Sequence, residues 1–278
     1  MNRGLLACLA LRCAAATGPP PDPHEVIAHS IKVAESNWSE APNYSFIRTD
    51  SKSKHGSEPV RKAYEVLMIE GSPYLKTVAE DGHALSKLRS QEEERKLQKE
   101  LAKRRGESVH ERRKRLEKYN EDRNRDHALL TELAAAFDYV VTGDQQMNGY
   151  EIWVLEGKPK PGYTPPNRAA KVLSSMNVRF WIDKPSFEWL RVEAEVKQAV
   201  SIYGPIAKVG PGTRFIMEQE PVSGNLWLPK YFSMRINASA LGFINEDSVQ
   251  DETYTNYRPR AASLSDAFKN AESSAGLQ

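Results

Sequence analysis

The apolar positions of this chain change period twice, and those changes divide it. From His24 to Trp38 the residues Val26, Ile27, Ile31, Val33 and Ala34 recur at three- and four-residue steps, which places them on one face of an amphipathic helix. Pro42-Asn43 ends that run, and Tyr44 to Thr49 reads as a first strand. Ala63 to Glu70 then alternates, with Tyr64, Val66 and Met68 on one face and Leu67 and Ile69 on the other. Gly71-Ser72-Pro73 is turn chemistry, Tyr74 to Ala79 reads as the partner strand, and Asp81-Gly82 makes a further tight turn.

From Lys87 to Arg125 the period lengthens again and the chain becomes charged. Between Arg89 and Asp126 fourteen Lys/Arg stand against ten Asp/Glu, so the segment carries a local positive excess. Leu97, Leu101, Leu116 and Tyr119 leave only a thin apolar stripe. This predicts two charged helices broken near Gly106-Glu107-Ser108, with Ser108 as N-cap and Glu111 completing a capping box. Glu92–Lys96 and Glu111–Arg115 have the spacing of favourable pairs, and Glu117–Glu121 that of a repulsive one. With so few apolar positions the pair should project from the body of the protein. A third helix, His127 to Phe137, is apolar through Leu129, Leu130, Leu133 and Phe137, and should dock on the core.

The remainder reads as β structure. Tyr139 to Gly143, Tyr150 to Glu156, Val178 to Asp183, Glu188 to Tyr203, Arg214 to Glu220, Leu226 to Ala238 and Glu252 to Arg258 are strand-like. Gly149, Gly157, Gly162, Gly204, Gly210-Pro211-Gly212 and Gly224-Asn225 mark turns between them. Even spacing of this kind is an antiparallel meander. Within it Leu190, Val192, Ala194 and Val196 share one parity, against Trp189, Arg191, Glu193, Glu195 and Lys197. Phe232, Met234 and Ile236 likewise oppose Tyr231, Ser233, Arg235 and Asn237. Ile152 and Val154, Phe180 and Ile182, and Phe215 and Met217 extend the apolar set. A sheet patterned this way has one apolar and one solvated face. The two helical covers are short for so many strands, and an under-covered apolar face is a groove for apolar ligands. The competing reading is a sheet that folds on itself as packed core.

The 278 residues, 40% hydrophobic and 27% charged, are ordinary for a globular chain that needs no covalent staple. Both cysteines, Cys8 and Cys13, fall at the N-terminus, so the body of the chain has no disulfide framework and no thiolate metal site. Arg3, the apolar run Gly4 to Leu11 and Ala14-x-Ala16 have the order of a secretory signal, although Arg12 interrupts it. Leu5-Leu6-Ala7-Cys8 loosely fits a lipidation site, with too few apolar residues before Cys8. Gly18 to Pro23 is a stiff proline-rich spacer. The expected division is a signal peptide at 1–16, a spacer at 17–23, one β domain at 24–260 with the charged helical insertion at 87–126, and a flexible tail at 261–278.

Candidate chemistry is sparse. The six histidines are scattered, and His24 and His29 are five apart rather than four, the wrong step for two ligands on one helical face. The chain contains neither a phosphate loop nor a Gly-x-Ser-x-Gly elbow. Glu193 and Glu195 alternate with apolar residues on a solvated face, where a perturbed acid–base pair is not expected. No metal, cofactor, nucleic acid or catalytic constellation is expected.

Phe180-Trp181-Ile182-Asp183-Lys184 followed by Glu188-Trp189-Leu190-Arg191-Val192-Glu193, then Trp227-Leu228-Pro229 and Tyr254-Thr255-Asn256-Tyr257, resemble the outer-membrane lipoprotein-sorting group. That group is similar to the periplasmic lipoprotein carriers LolA and LolB and the envelope sensor RseB. The resemblance covers residues 139–258 well and 24–85 weakly, and the charged insertion has no counterpart in the carriers. It implies an α+β fold: a curved antiparallel sheet, an unclosed half-barrel, with helices on the concave side. It implies no site residue, since its motifs are strand ends and turns. The resulting expectation is a periplasmic or otherwise exported binding protein, not an enzyme, soluble once its signal is removed. It would hold a lipid, an acyl chain or a lipoprotein anchor against Ile152, Val154, Phe180, Ile182, Leu190, Val192, Ala194, Phe215, Met217, Phe232, Met234 and Ile236. The alternative is an envelope sensor or interaction module engaging a protein or an anionic membrane surface through the basic helices.

Overall fold

The computed structural model describes residues 21–201, 207–240 and 244–260. The expected signal at 1–16, the spacer up to residue 20, Tyr203, Gly204 and the tail at 261–278 lie outside the described residues.

The first helix, α1 (Pro23–Glu40), starts where Asp22 caps it, its carboxylate accepting from the His24 amide at 2.9 Å, with Pro23 in the first turn. Its buried side is Val26, Ile27, Ser30, Ile31, Ala34 and Asn37. Then come strands β1 (Tyr44–Lys54), β2 (Val60–Ile69), β3 (Ser72–Glu80) and β4 (His83–Ala84). The β2–β3 hairpin turns at Glu70-Gly71, both at positive φ (47° and 87°), the backbone that matches strand twist in a two-residue turn. Ser72 already pairs with Ile69, so this turn lies one residue earlier than the Gly71-Ser72-Pro73 assignment.

The charged segment forms α2 (Lys87–Arg105) and α3 (Val109–Ala136). Ser108 caps α3 in a full capping box with Glu111. Two expectations are corrected. The apolar stretch from His127 is not a separate helix but the continuation of α3 through Ala136, because nothing between Arg125 and His127 breaks the helix (the side chains of Leu129 and Leu130 lie outside the described set). Nor does the segment project. Leu97 and Leu101 pack with Ile69, Leu67 and Tyr74. Buried Arg104 donates to the Ile69 and Ser72 carbonyls, both at 2.8 Å, and to the Pro73 carbonyl at 3.2 Å. Its Nε is 2.7 Å from Glu100. The long-range ends of these contacts are backbone oxygens, which is why an apolar count missed them. The expected Glu92–Lys96 and Glu111–Arg115 pairs are replaced by Glu93–Lys96 and Glu107–Arg115.

The other strands are β5 (Phe137–Met147), β6 (Tyr150–Pro159), β7 (Met176–Asp183), β8 (Trp189–Val196), β9 (Val200–Ser201), β10 (Ala207–Val209), β11 (Arg214–Ser223), β12 (Leu226–Ala240) and β13 (Ile244–Pro259). The single strand expected from Glu188 to Tyr203 is interrupted after Val196, whose amide bonds the Thr213 carbonyl at 2.8 Å. Gly157, expected in a turn, lies inside β6. A Cβ there would stand 2.6 Å from the Tyr139 ring and 2.7 Å from Val178. All strands join one antiparallel sheet in the order β4-β3-β2-β1-β13-β12-β11-β8-β7-β6-β5, with β9 and β10 appended at the end of β12. Its ends, β4 and β5, do not pair, so the curved sheet is not closed. The last strand sits between β12 and β1 and joins the first meander to the second.

Candidate functional site

In an antiparallel ladder directly opposed residues point to the same face, so register alone lays out the surface beneath α1. Phe180 opposes Leu155 and Val192, and Val178 opposes Ala194. Val192 opposes Met217, which opposes Phe232, while Ala194 opposes Phe215, which opposes Met234. These residues form one continuous apolar field across β6, β7, β8, β11 and β12.

Nine of the twelve expected lining residues lie on this face: Phe180, Ile182, Val192, Ala194, Phe215, Met217, Phe232, Met234 and Ile236. Ile152, Val154 and Leu190 do not. Ile152 opposes Asp183 and Val154 opposes Trp181, and both pack with Leu190 and Trp227 on the reverse side. Leu190 is displaced by an irregularity in the β7–β8 register, where Trp181 pairs with Arg191 but Ile182 with Trp189. The extra residue of this β-bulge shifts the parity of everything before it. Trp189 therefore joins Val192, Ala194 and Val196 in the core under α1. Strict alternation cannot reveal a one-residue bulge, so it places Leu190 on the wrong side. Ile152 and Val154, by contrast, lie in the regular β6–β7 register and simply belong to the other apolar face of a strand buried on both sides.

The nine differ in accessibility. Phe180 and Ile182 are fully buried at 0% exposure, closed over by the side of α1 carrying Val26, Ile27, Ile31 and Ala34. Val192, Ala194, Phe215 and Met217 border that core and are half-buried, as are Phe232, Met234 and Ile236 beyond it. The core beneath α1 thus seals Phe180 and Ile182 of β7, while these residues of β8, β11 and β12 are covered only in part. What remains is an open strip of seven apolar side chains.

Past the strip the same face turns polar. Phe232 opposes Glu252, Met234 opposes Gln250 and Ile236 opposes Ser248. These in turn oppose Asp50, Lys52 and Lys54 of β1, and Asp50 opposes Lys62 of β2. Asp50 is buried beside Arg48, whose Nε is 2.8 Å away. Glu252 accepts from Gln250 at 2.5 Å and from the Tyr254 hydroxyl. Burial, with Glu252 beside it, holds that phenol far above the usual tyrosine range. Beside this network a hollow of about 460 Å³ is lined by Asp50, Lys52, Lys54, Ser57, Glu58, Val60, Lys62 and Tyr64.

The β7–β8 turn holds α1 in place. His29 stacks on Phe187 at 4.0 Å between centroids, and the Asn37 amide donates to Glu188 at 2.7 Å. The Asn37 side-chain oxygen accepts from the Trp227 amide at 3.4 Å, so one side chain joins α1 to two hairpins. Glu188 is 2% exposed. Burial, reinforced by nearby Asp183 and opposed by the Asn37 bond, pushes its carboxyl up to about 7. On the outward face Glu193 pairs with Arg191, and Glu195 with Lys197 and Arg214. Those hydrogen bonds hold Glu195 below the usual carboxylate range, a ladder of ion pairs rather than an acid–base couple.

Among the described residues no group of three His, Cys, Asp or Glu could hold a metal ion, and no helix is long and apolar enough to cross a membrane. No family model matches the chain, and no curated protein does. Solved structures similar to it include a putative outer membrane lipoprotein-sorting protein domain from Vibrio parahaemolyticus, at 12% identity and a TM-score of 0.35, covering 88% of this chain and 98% of that one. A DUF1329 family protein from Desulfovibrio piger is 12% identical with a TM-score of 0.30, over 89% of this chain and 97% of that one. A LolA superfamily protein from Nitrosomonas europaea is 10% identical with a TM-score of 0.32, over 83% of this chain and 94% of that one.

Proposed function

We propose that this chain is an exported, non-enzymatic binding protein of the cell envelope that holds the acyl chain of a lipid or lipoprotein on the open strip formed by Val192, Ala194, Phe215, Met217, Phe232, Met234 and Ile236. The observation that carries this reading is the gradient of cover. The strip is contiguous by register with a sealed core, yet each of its seven side chains keeps solvent access. Contiguous apolar surface that is only partly covered is a candidate contact site. Met217 and Met234, unbranched and polarisable, adapt to an irregular guest. Each methylene laid on the strip contributes about 0.8 kcal/mol, so a modest number gives reversible binding.

The test is titration with a fluorescent fatty acid. Wild-type protein should bind it. Met234→Glu, which sets a charge in the path of the chain, should weaken binding roughly tenfold or more, the cost of an unpaired charge against hydrocarbon, while the melting temperature falls only slightly because the site is half-open. Outright unfolding of the variant would mean that the strip is close-packed core.

A second reading rests on a separate observation. Arg95, Lys99 and Lys118 of the charged helices are exposed and enter no ion pair among the described residues, which leaves cations available to an acidic partner or an anionic surface. Native mass spectrometry of protein taken from its own envelope separates the two. Co-purified lipid supports the first, and a stoichiometric protein partner the second.

A further inference from the structure

We infer that the ligand is an anionic amphiphile held in one direction, its chain on the β8–β11–β12 strip and its acidic headgroup at Lys52 and Lys54 of β1. This rests on the acyl-chain reading above and adds the headgroup's charge and its position.

Two rungs of the sheet carry the inference. One runs Ala194, Phe215, Met234, Gln250, Lys52 across β8, β11, β12, β13 and β1. Its neighbour runs Ile236, Ser248, Lys54 across β12, β13 and β1. Each passes from hydrocarbon through an uncharged polar side chain to an ammonium, and neither contains a carboxylate. With strands about 4.8 Å apart, the four steps of the longer rung span about 19 Å, the scale of a fatty acyl chain. The order of polarity along the rungs is the order of polarity along such a molecule.

At the far end the lysines outnumber the carboxylates in the lining of the hollow, three to two: Lys52, Lys54 and Lys62 against Asp50 and Glu58. Asp50 is already committed to the Arg48 guanidinium at 2.8 Å, with the Lys52 amine no nearer than 3.9 Å. Glu252 lies on the adjoining rung, opposite Asp50 rather than a lysine, and accepts hydrogen bonds from Gln250 and Tyr254, which hold its carboxylate without cancelling its charge. Lys62 reaches Glu80 at 3.6 Å, and Lys54 enters no ion pair among the described residues. Side chains of Lys52 and Lys62 are about half exposed, at 56% and 45%, so their ammonium groups can turn to a ligand without desolvation beforehand. A carboxylate or phosphate placed over the hollow would gain charge-assisted hydrogen bonds there, whereas a cationic headgroup would meet repulsion.

The experiment compares two probes sharing one acyl chain, a fluorescent fatty acid and its methyl ester, on wild-type protein and on the K52Q/K54Q and K52R/K54R variants at low and high salt. The wild type should prefer the acid by roughly five- to tenfold at low salt, with the preference shrinking as salt screens it. That ratio should fall to near one in K52Q/K54Q and persist in K52R/K54R, which keeps the charge. Equal binding of acid and ester by the wild type would overturn the inference and leave the apolar strip standing. A preference unchanged in K52Q/K54Q would overturn the assignment to these lysines. Failure of both probes to bind would overturn the strip and this inference together.

Discussion

Glu188 joins α1 to the β7–β8 turn, and its burial makes the fold sensitive to pH. Its carboxyl is raised from 4.5 to about 7 by burial and by Asp183, so the folded protein favours the protonated form. The stability this confers is complete below the unfolded value near 4.5 and is lost as pH rises through about 7. Glu188→Gln keeps an acceptor for Asn37 without the charge. Urea unfolding should show the wild type losing stability between pH 5 and pH 8 by on the order of 3 kcal/mol at most, and the variant nearly flat over the same range. An equal decline in both would place the pH dependence elsewhere. Gly157 presents the opposite problem, one of space. With Tyr139 and Val178 within 2.7 Å of any added Cβ, Gly157→Ala should cost about 1–3 kcal/mol in the same assay. Neither role was legible in the sequence, where Glu188 looked like a strand end and Gly157 like a turn. Both depend on partners distant in the chain or across the sheet.

Among the elements, those governed by neighbouring residues were the legible ones. Helix α1, the turn at Asp81-Gly82, and the Ser108–Glu111 capping box follow from local chemistry, and they stand where the pattern put them. The docking of α2 was not legible, because two of its four buried positions, Glu93 and Arg104, are charged. Arg104 reaches three backbone carbonyls of the β2–β3 hairpin, which no hydrophobic count registers. Arg104→Ala would leave those acceptors unpaired and should destabilise the protein by about 2–4 kcal/mol. Hydrogen exchange should then rise first in α2 and the adjoining hairpin. Uniform exchange across the whole sheet would mean that α2 and the hairpin do not act as a local unit. The bulge in β8 marks the other limit. Alternation identified the strand, but a single inserted residue moved Leu190 to one face and Trp189 to the other.

For the molecule as a whole, the antiparallel meander and its open, two-faced sheet were readable, whereas the pairing of β1 with β13 was not, since strand order rests on contacts remote in sequence. That pairing is what places Lys52 and Lys54 on the same face as Phe232, Met234 and Ile236. The central claim is that the partly covered strip receives a chain, and the methionines report on it. Met217 and Met234 lie in the strip, Met176 is buried beneath α1, Met147 packs on the reverse face and Met68 is in β2. In protein labelled with ¹³C at the methionine methyls, titration with a fatty acid should shift the Met217 and Met234 resonances saturably, leaving Met68 and Met147 in place. Unchanged Met217 and Met234 signals, or shifts centred on Met147 or Met68, would contradict the account.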